Sequence, residues 1–295
     1  MKTLSSIALV ALLPLSFAAC PANDREPVDP DDPVEVADPE DPEARDPGDQ
    51  PVCLRGSPFV AEGAVEVRGT GEEGDADSVS GIRWETYEGC ERLVIDLEGE
   101  GDDAASRAGR VEAEVLRDLG VVRIALPDVE YVASDATDAR FGGSLARAAY
   151  VMWAEEGRWI DLDVHLADAA EAHVAVLEDP ARVVVDLRPG GGSVPEPPAE
   201  DSRVVVLDPR QEAAGYPLTV TGYARTFEAN VVARLEQDGE EVASDFTTAT
   251  AWADAWGHFS ITFPDGPSGS VVLHVGEHSA RDGTWEGVEV ELEMR

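Results

Sequence analysis

The chain has 295 residues, with 22 Lys plus Arg against 61 Asp plus Glu and a formal net charge of -39. That length holds one large domain or two modest ones, each with room for a core. A field of this sign, with no basic run to offset it, excludes binding to nucleic-acid phosphates and to bare anionic lipid surfaces. Composition names no reaction.

In chain order, Met1 and Lys2 give a short positive start, and an apolar stretch from Leu4 to Ala18 follows, broken by serines and Pro14. It is too short to span a bilayer and reads as a secretion signal over residues 1–19. The signal ends in Phe17-Ala18-Ala19-Cys20, a bulky apolar residue, two small ones and a cysteine. This resembles the lipobox of bacterial lipoproteins, with Phe17 where Leu is usual. The resemblance implies that the Cys20 thiol is lipidated and becomes the new amino terminus. Acyl chains, at about 0.8 kcal/mol per buried methylene, would then hold the protein to the cell membrane on its extracytoplasmic side. The alternative reading is an ordinary signal peptide with Ala-x-Ala cleavage.

Residues 20–51 repeat Asp-Pro and Glu-Pro and contain almost no large apolar side chain. Such a segment cannot bury enough surface to offset chain entropy, so a disordered, extended acidic linker is expected, at about 3.1 Å per residue where it is polyproline-like. Cys53 and Cys90 are the two cysteines beyond the signal. In an exported, oxidising setting they pair as a disulfide, which constrains the unfolded chain by about 3–4 kcal/mol. A thiolate nucleophile is the competing reading. It wants a neighbouring His, and none occurs before His165.

From residue 52 to 188 short strands are expected at 65–67, 93–97, 121–126, 159–166, 174–177 and 182–187, with one helix over 104–116. Along the 159–166 run, Ile160, Leu162, Val164 and Leu166 alternate with Asp161, Asp163 and His165, which predicts one buried face and one wet face. Residues 79–97, with Ser80-Gly81-Ile82-Arg83-Trp84 leading to Cys90-Glu91-Arg92-Leu93, resemble the opening of AMIN-like domains, and Asp179-Pro180-Ala181-Arg182 through Leu187 resembles their closing strand. Glu91 replaces the usual Asp before Arg92. The resemblance implies a β-sandwich-like envelope module of a kind that targets proteins to the cell wall.

Residues 189–202, beginning Pro189-Gly190-Gly191-Gly192 and ending in prolines and acids, interrupt every apolar period and predict a Gly/Pro linker between domains. Residues 203–295 then carry expected strands at 203–207, 218–224, 231–237, 240–248, 259–263, 271–275 and 288–292, with a turn at Asp238-Gly239. Leu207-Asp208-Pro209, the run from Tyr216 to Asn230, and Ser279-Ala280-Arg281-Asp282-Gly283 resemble the Gmad2 immunoglobulin-like domain. That resemblance implies a non-catalytic extracytoplasmic interaction module associated with sporulation and germination proteins. The fold class is therefore mainly β, two sandwich-like domains behind a signal and a linker.

Chemical motifs are few. His274-Val275-Gly276-Glu277-His278 has the H-x-x-E-H spacing of inverted zinc peptidases, a motif that works only on a helix. Here the apolar Val271-Val272-Leu273 precedes it and Gly276 interrupts it, so a strand is expected, with the histidines about 13 Å apart and beyond one zinc ion. The run from Asp75 to Gly81 begins like a calcium loop but lacks its fifth-position ligand, sixth-position glycine and closing Glu. Trp153 with Trp159, or Trp252 with Trp256, offers a stacking platform for sugar rings, against which stands ordinary packing. Phe227 beside Glu228 reads as an interior ring next to an exposed acid. No catalytic residues, cofactor or metal ligands are assigned.

The function expected is a non-enzymatic envelope lipoprotein binding peptidoglycan or an exported protein, with no nucleic-acid partner and with its oligomeric state open. The alternatives are an envelope enzyme, as a cryptic zinc metallopeptidase or wall hydrolase, and a structural or germination-related assembly component.

Overall fold

The computed structural model describes residues 53, 58–101, 103–154, 159–210, 213–252 and 255–295. The expected signal, Cys20 and the acidic linker lie outside the described residues.

The chain is built from strands and two short 3-10 turns, with no α-helix among the described residues. The amino-terminal half runs β1 (Gly63–Val65), β2 (Ser78–Tyr87), β3 (Cys90–Glu98), β4 (Glu112–Leu116), β5 (Val121–Leu126), β6 (Tyr131–Val132), β7 (Asp138–Arg140), β8 (Ala146–Trp153), β9 (Ile160–Leu166), β10 (Ala170–Leu177) and β11 (Arg182–Pro189). The carboxyl-terminal half runs β12 (Ala199–Glu200), β13 (Val204–Asp208), β14 (Ala213–Ala214), β15 (Leu218–Ala224), β16 (Asn230–Gln237), β17 (Glu240–Thr248), β18 (Trp256–Phe263), β19 (Gly269–His278) and β20 (Trp285–Met294). The helix expected over 104–116 is not formed. Its last five residues are β4, in which Ala113 and Val115 point into the core while Glu112 and Glu114 face water, so the pattern there has period two.

Each half is two sheets around its own apolar core. In the first, β1-β4-β5-β9-β8 covers β10-β11-β3-β2-β6, with Leu93, Ile95, Ile124, Leu162 and Val185 between them. In the second, β18-β15-β13-β12 covers β14-β20-β19-β16-β17 over Val206, Val220, Leu235, Ile261 and Leu273. The Asp238-Gly239 turn joins β16 to β17 with φ of 55° and 83°, the left-handed pair that a tight hairpin requires. Cys53 and Cys90 stand at disulfide distance, with Cα atoms 6.4 Å apart.

The halves share a sheet. β8 pairs in parallel with β18, Met152 opposite Trp256 and Trp153 opposite Gly257, so one ladder continues from β1 to β12. A third apolar cluster of Ala148, Tyr150, Met152, Val205, Leu207, Tyr223 and Trp256 fills the space between the halves. The Gly/Pro segment is laid down along both. Glu200 accepts hydrogen bonds from Arg140, Arg147 and Tyr150 of the first half while β12 pairs with β13 of the second.

This contact overturns the expectation of a wet face on β9. All seven of its residues are buried, because the outer face that carries Asp161, Asp163 and His165 lies under the carboxyl-terminal half. Trp256 is fully buried in the same contact, with Tyr150 edge-on at 4.9 Å.

We expect Trp256→Ala to cost about 3–5 kcal/mol and to lower the midpoints of both halves together in a denaturant titration followed by probes in each. Replacing Cys53 and Cys90 with Ala should cost about 3–4 kcal/mol, read as a lower urea midpoint.

Candidate functional site

Two places concentrate charge and aromatic rings. The first is the contact between the halves. Period two aims Asp163 of β9 away from its own core, toward β15 and β18. Its carboxylate is fully buried and accepts two hydrogen bonds from Arg123 of β5, at 2.8 and 2.7 Å, and a third from the Tyr223 hydroxyl. Burial alone would raise the Asp163 carboxyl, but Arg123 and Tyr223 outweigh it and hold it below the usual carboxylate range. Asp161, two residues earlier, is pushed up to about 6 by burial, against the pull of Arg123. His165 is pushed down to about 4 by burial and sits edge-on to Tyr150 and Tyr223.

Nothing in this cluster is poised to react with a substrate. The carboxylate is saturated by its donors, the imidazole is packed among rings, and aromatic side chains close the space around them. The arrangement serves as a fastener between two sheets.

The second place is the outer face of the sheet β14-β20-β19-β16-β17. His274 and His278 share that face of β19, one buried and one exposed, whereas Glu277 points to the opposite side. There Glu277 accepts a 2.7 Å hydrogen bond from Arg203 and another from the Phe227 backbone N–H, and Arg203 also reaches Glu286 at 2.7 Å. The strand expected for this motif is present, and it separates the Glu from the histidines. Among the described residues no three His, Cys, Asp or Glu side chains converge as a metal site.

On the outer face His274 lies 3.2 Å from Glu289 and 3.4 Å from Glu236. Arg234 stacks over the Trp285 ring at 4.5 Å, and His278 meets the same ring edge-on at 5.1 Å. Gly276 and Gly287 are paired across β19 and β20 between these groups. A Cβ on Gly276 would stand 2.2 Å from the Glu286 carbonyl oxygen, so the close approach of the two strands needs glycine. A groove on this face is lined by Glu236, Asp238, Ser270, Val272, Glu291 and Glu293.

Four of the exposed large apolar side chains belong to this half: Phe246 at 70%, Trp252 at 57%, Phe227 at 50% and Val242 at 44%. Phe227 is therefore not an interior ring. It sits in a 3-10 turn whose next residues, Glu228 and Ala229, take left-handed φ, which turns the ring outward. Trp252 and Trp256 do not form a platform, since Trp256 is enclosed between the halves, and Trp153 is half-buried with its indole N–H donated to the Glu130 carbonyl. Asp75 is committed to the segment between β3 and β4, where the Ser106 hydroxyl and the backbone N–H groups of Arg107 and Ser106 lower its carboxyl to about 2.

Sequence reasoning missed the Arg123–Asp163–Tyr223 group. The available signal was the presence of three ionisable residues on one face of an otherwise apolar strand.

The profile of the family described as the immunoglobulin-like domain of bacterial spore germination, Gmad2, matches residues 203–284. No curated protein and no solved structure matches the chain.

Replacing Arg123 with Met strands a buried charge on Asp163, and we expect a loss of about 3–5 kcal/mol by chemical denaturation. Asp161→Asn should act oppositely. Its acid form is favoured in the fold, so the charged wild-type side chain costs stability above about pH 6. The variant should be more stable at pH 8 by on the order of 1–2 kcal/mol. The advantage should shrink as pH falls from about 6 and vanish only well below 3.8, the ordinary Asp value, where wild-type Asp161 carries its own proton in both states.

Proposed function

We propose that this protein is a non-catalytic lipoprotein of the cell envelope, held at the membrane through Cys20 and presenting an AMIN-like half and an immunoglobulin-like half to peptidoglycan or to an exported protein. The observation that carries the reading is the Gmad2 match over residues 203–284, on a fold that is nearly all strand. A module of that kind, with exposed rings and an acidic outer sheet, is suited to recognition. The lipobox-like Phe17-Ala18-Ala19-Cys20 supplies the anchor, and the residues to 51 supply reach. A tether of that type raises the effective concentration of the two halves near the membrane surface. The AMIN-like resemblance of residues 79–97 and 179–187 favours the cell wall as one target.

The test has two arms. Cys20→Ala should move the protein from the membrane fraction to the soluble fraction and remove label from a fatty-acid feeding experiment. The purified chain should pellet with isolated peptidoglycan, or, if the target is a protein, cross-link to an exported partner. Release of muropeptides by the purified chain, or zinc retained at one ion per chain after dialysis, would overturn the non-catalytic reading.

A further inference from the structure

Among the described residues, the strands that end the sheets are short or partly bridged, apart from β17. β1, β6, β12 and β14 are two or three residues long, and the outer side of β10 is occupied by bridges from Val60 and Arg68. β17 is different. It has nine residues, it pairs with β16 on one side, and it ends the sheet on the other. Seven of its nine residues are exposed, among them Val242 at 44% and Phe246 at 70%.

The backbone of this edge faces outward at known positions. The Phe246 N–H donates to the Asp245 carboxylate at 2.8 Å instead of entering the ladder with Val232. Antiparallel pairing alternates, so Ser244 also directs its N–H and C=O away from β16. These groups are the donors and acceptors that an added strand needs.

The charges around the edge select the occupant. At the bulge in β16–β17, Glu236 stands directly opposite Glu241, and like charges in that position repel. Glu240 precedes it, and Glu289, Glu291 and Glu293 continue the acidic face on β20. Elsewhere the chain resolves the same conflict internally: Glu277 and Glu286 are also opposite one another, and Arg203 bridges both at 2.7 Å. No arginine among the described residues reaches Glu241. A second copy of the chain is a poor occupant, because pairing β17 with itself adds Glu240, Glu241 and Asp245 to their own images in a chain of net charge -39.

We propose that β17 is a docking edge that accepts, as an added antiparallel or parallel strand, an extended segment of a partner polypeptide rich in Lys or Arg alternating with apolar residues. Phe246, Ser244 and Glu241 share the outer face of β17 with Glu236, so the cations of that segment settle on this face against Glu241 and Glu236 with their methylene stems along Phe246, and its apolar residues turn to the other face, beside Ala243 and Thr247. This rests on the reading of the protein as a binding module and names the partner chemistry of one surface.

The probe is an octapeptide of alternating Val and Lys, titrated into the full-length chain. An alternating Val and Glu peptide and an alternating Pro and Lys peptide serve as comparisons, the last having the same charge without strand pairing. The Val/Lys peptide should bind at least about tenfold more tightly than either. It should also slow hydrogen exchange at the Ser244 and Phe246 amides. Ser244→Pro, which removes an outward N–H without touching the β16 ladder, should abolish that difference. Glu236→Gln with Glu241→Gln should weaken binding several-fold and flatten its salt dependence. If Ser244→Pro fails to fold, the exchange pattern in the wild type and the Gln pair decide. Equal binding of the Pro/Lys peptide, equal binding of the Val/Glu peptide, protection elsewhere than β17, or no binding overturns the proposal. Retention on peptidoglycan in the same preparation would leave the broader binding reading standing while this one falls.

Discussion

A single buried carboxylate organises this molecule. Asp163 leaves its own sandwich, and the Tyr223 hydroxyl that reaches it comes from the other. An ion in that position is tolerable only with its donors in place. Arg123 supplies two of them and Tyr223 the third. The halves are thus bound by a satisfaction requirement as well as by apolar burial. Separating them would expose Trp256, Tyr223 and Leu207 and would leave the Asp163 charge one donor short.

The shared ladder adds a directional constraint to that contact. β8 and β18 meet through two register pairs, enough to fix how the sheets follow one another, while the Gly/Pro segment is held by Glu200 against three side chains of the amino-terminal half. All described residues fall in one compact unit. Surfaces on the two halves are therefore presented in a fixed relation, and a ligand that touched both would meet a preorganised pair.

Charge is distributed by the same logic of satisfied and unsatisfied groups. Some enclosed acids take up the few cations, Arg92 on Asp186, Arg123 on Asp163 and Arg203 on Glu277, while buried Glu91 is held by Ser144, Trp84 and backbone N–H groups. On the outer face of the second sheet the acids outnumber the cations, with Arg234 committed to Trp285. The excess charge of the protein is left where solvent, or a cationic partner, can reach it.

The mainly β character, the hairpin at Asp238-Gly239 and the immunoglobulin-like character of the carboxyl-terminal half were legible in the amino-acid order, because they depend on period-two alternation, turn residues and local motifs, whereas β2 and β8 were not marked out as strands. Tertiary structure decided what faces what. Alternation along β9 divides Ile160, Leu162 and Val164 from Asp161, Asp163 and His165, but it cannot say that a second sandwich covers the polar side. Residues 112–116 read as part of a helix until pairing with β5 fixed their period, and Phe227 read as interior until two left-handed residues turned it out. The cover over β9 depends on contacts between segments far apart in the chain, and the other two cases on the pairing of a neighbouring strand and the backbone angles of one turn. Local propensity contains no record of such contacts, so they became visible only when the sheets were assembled.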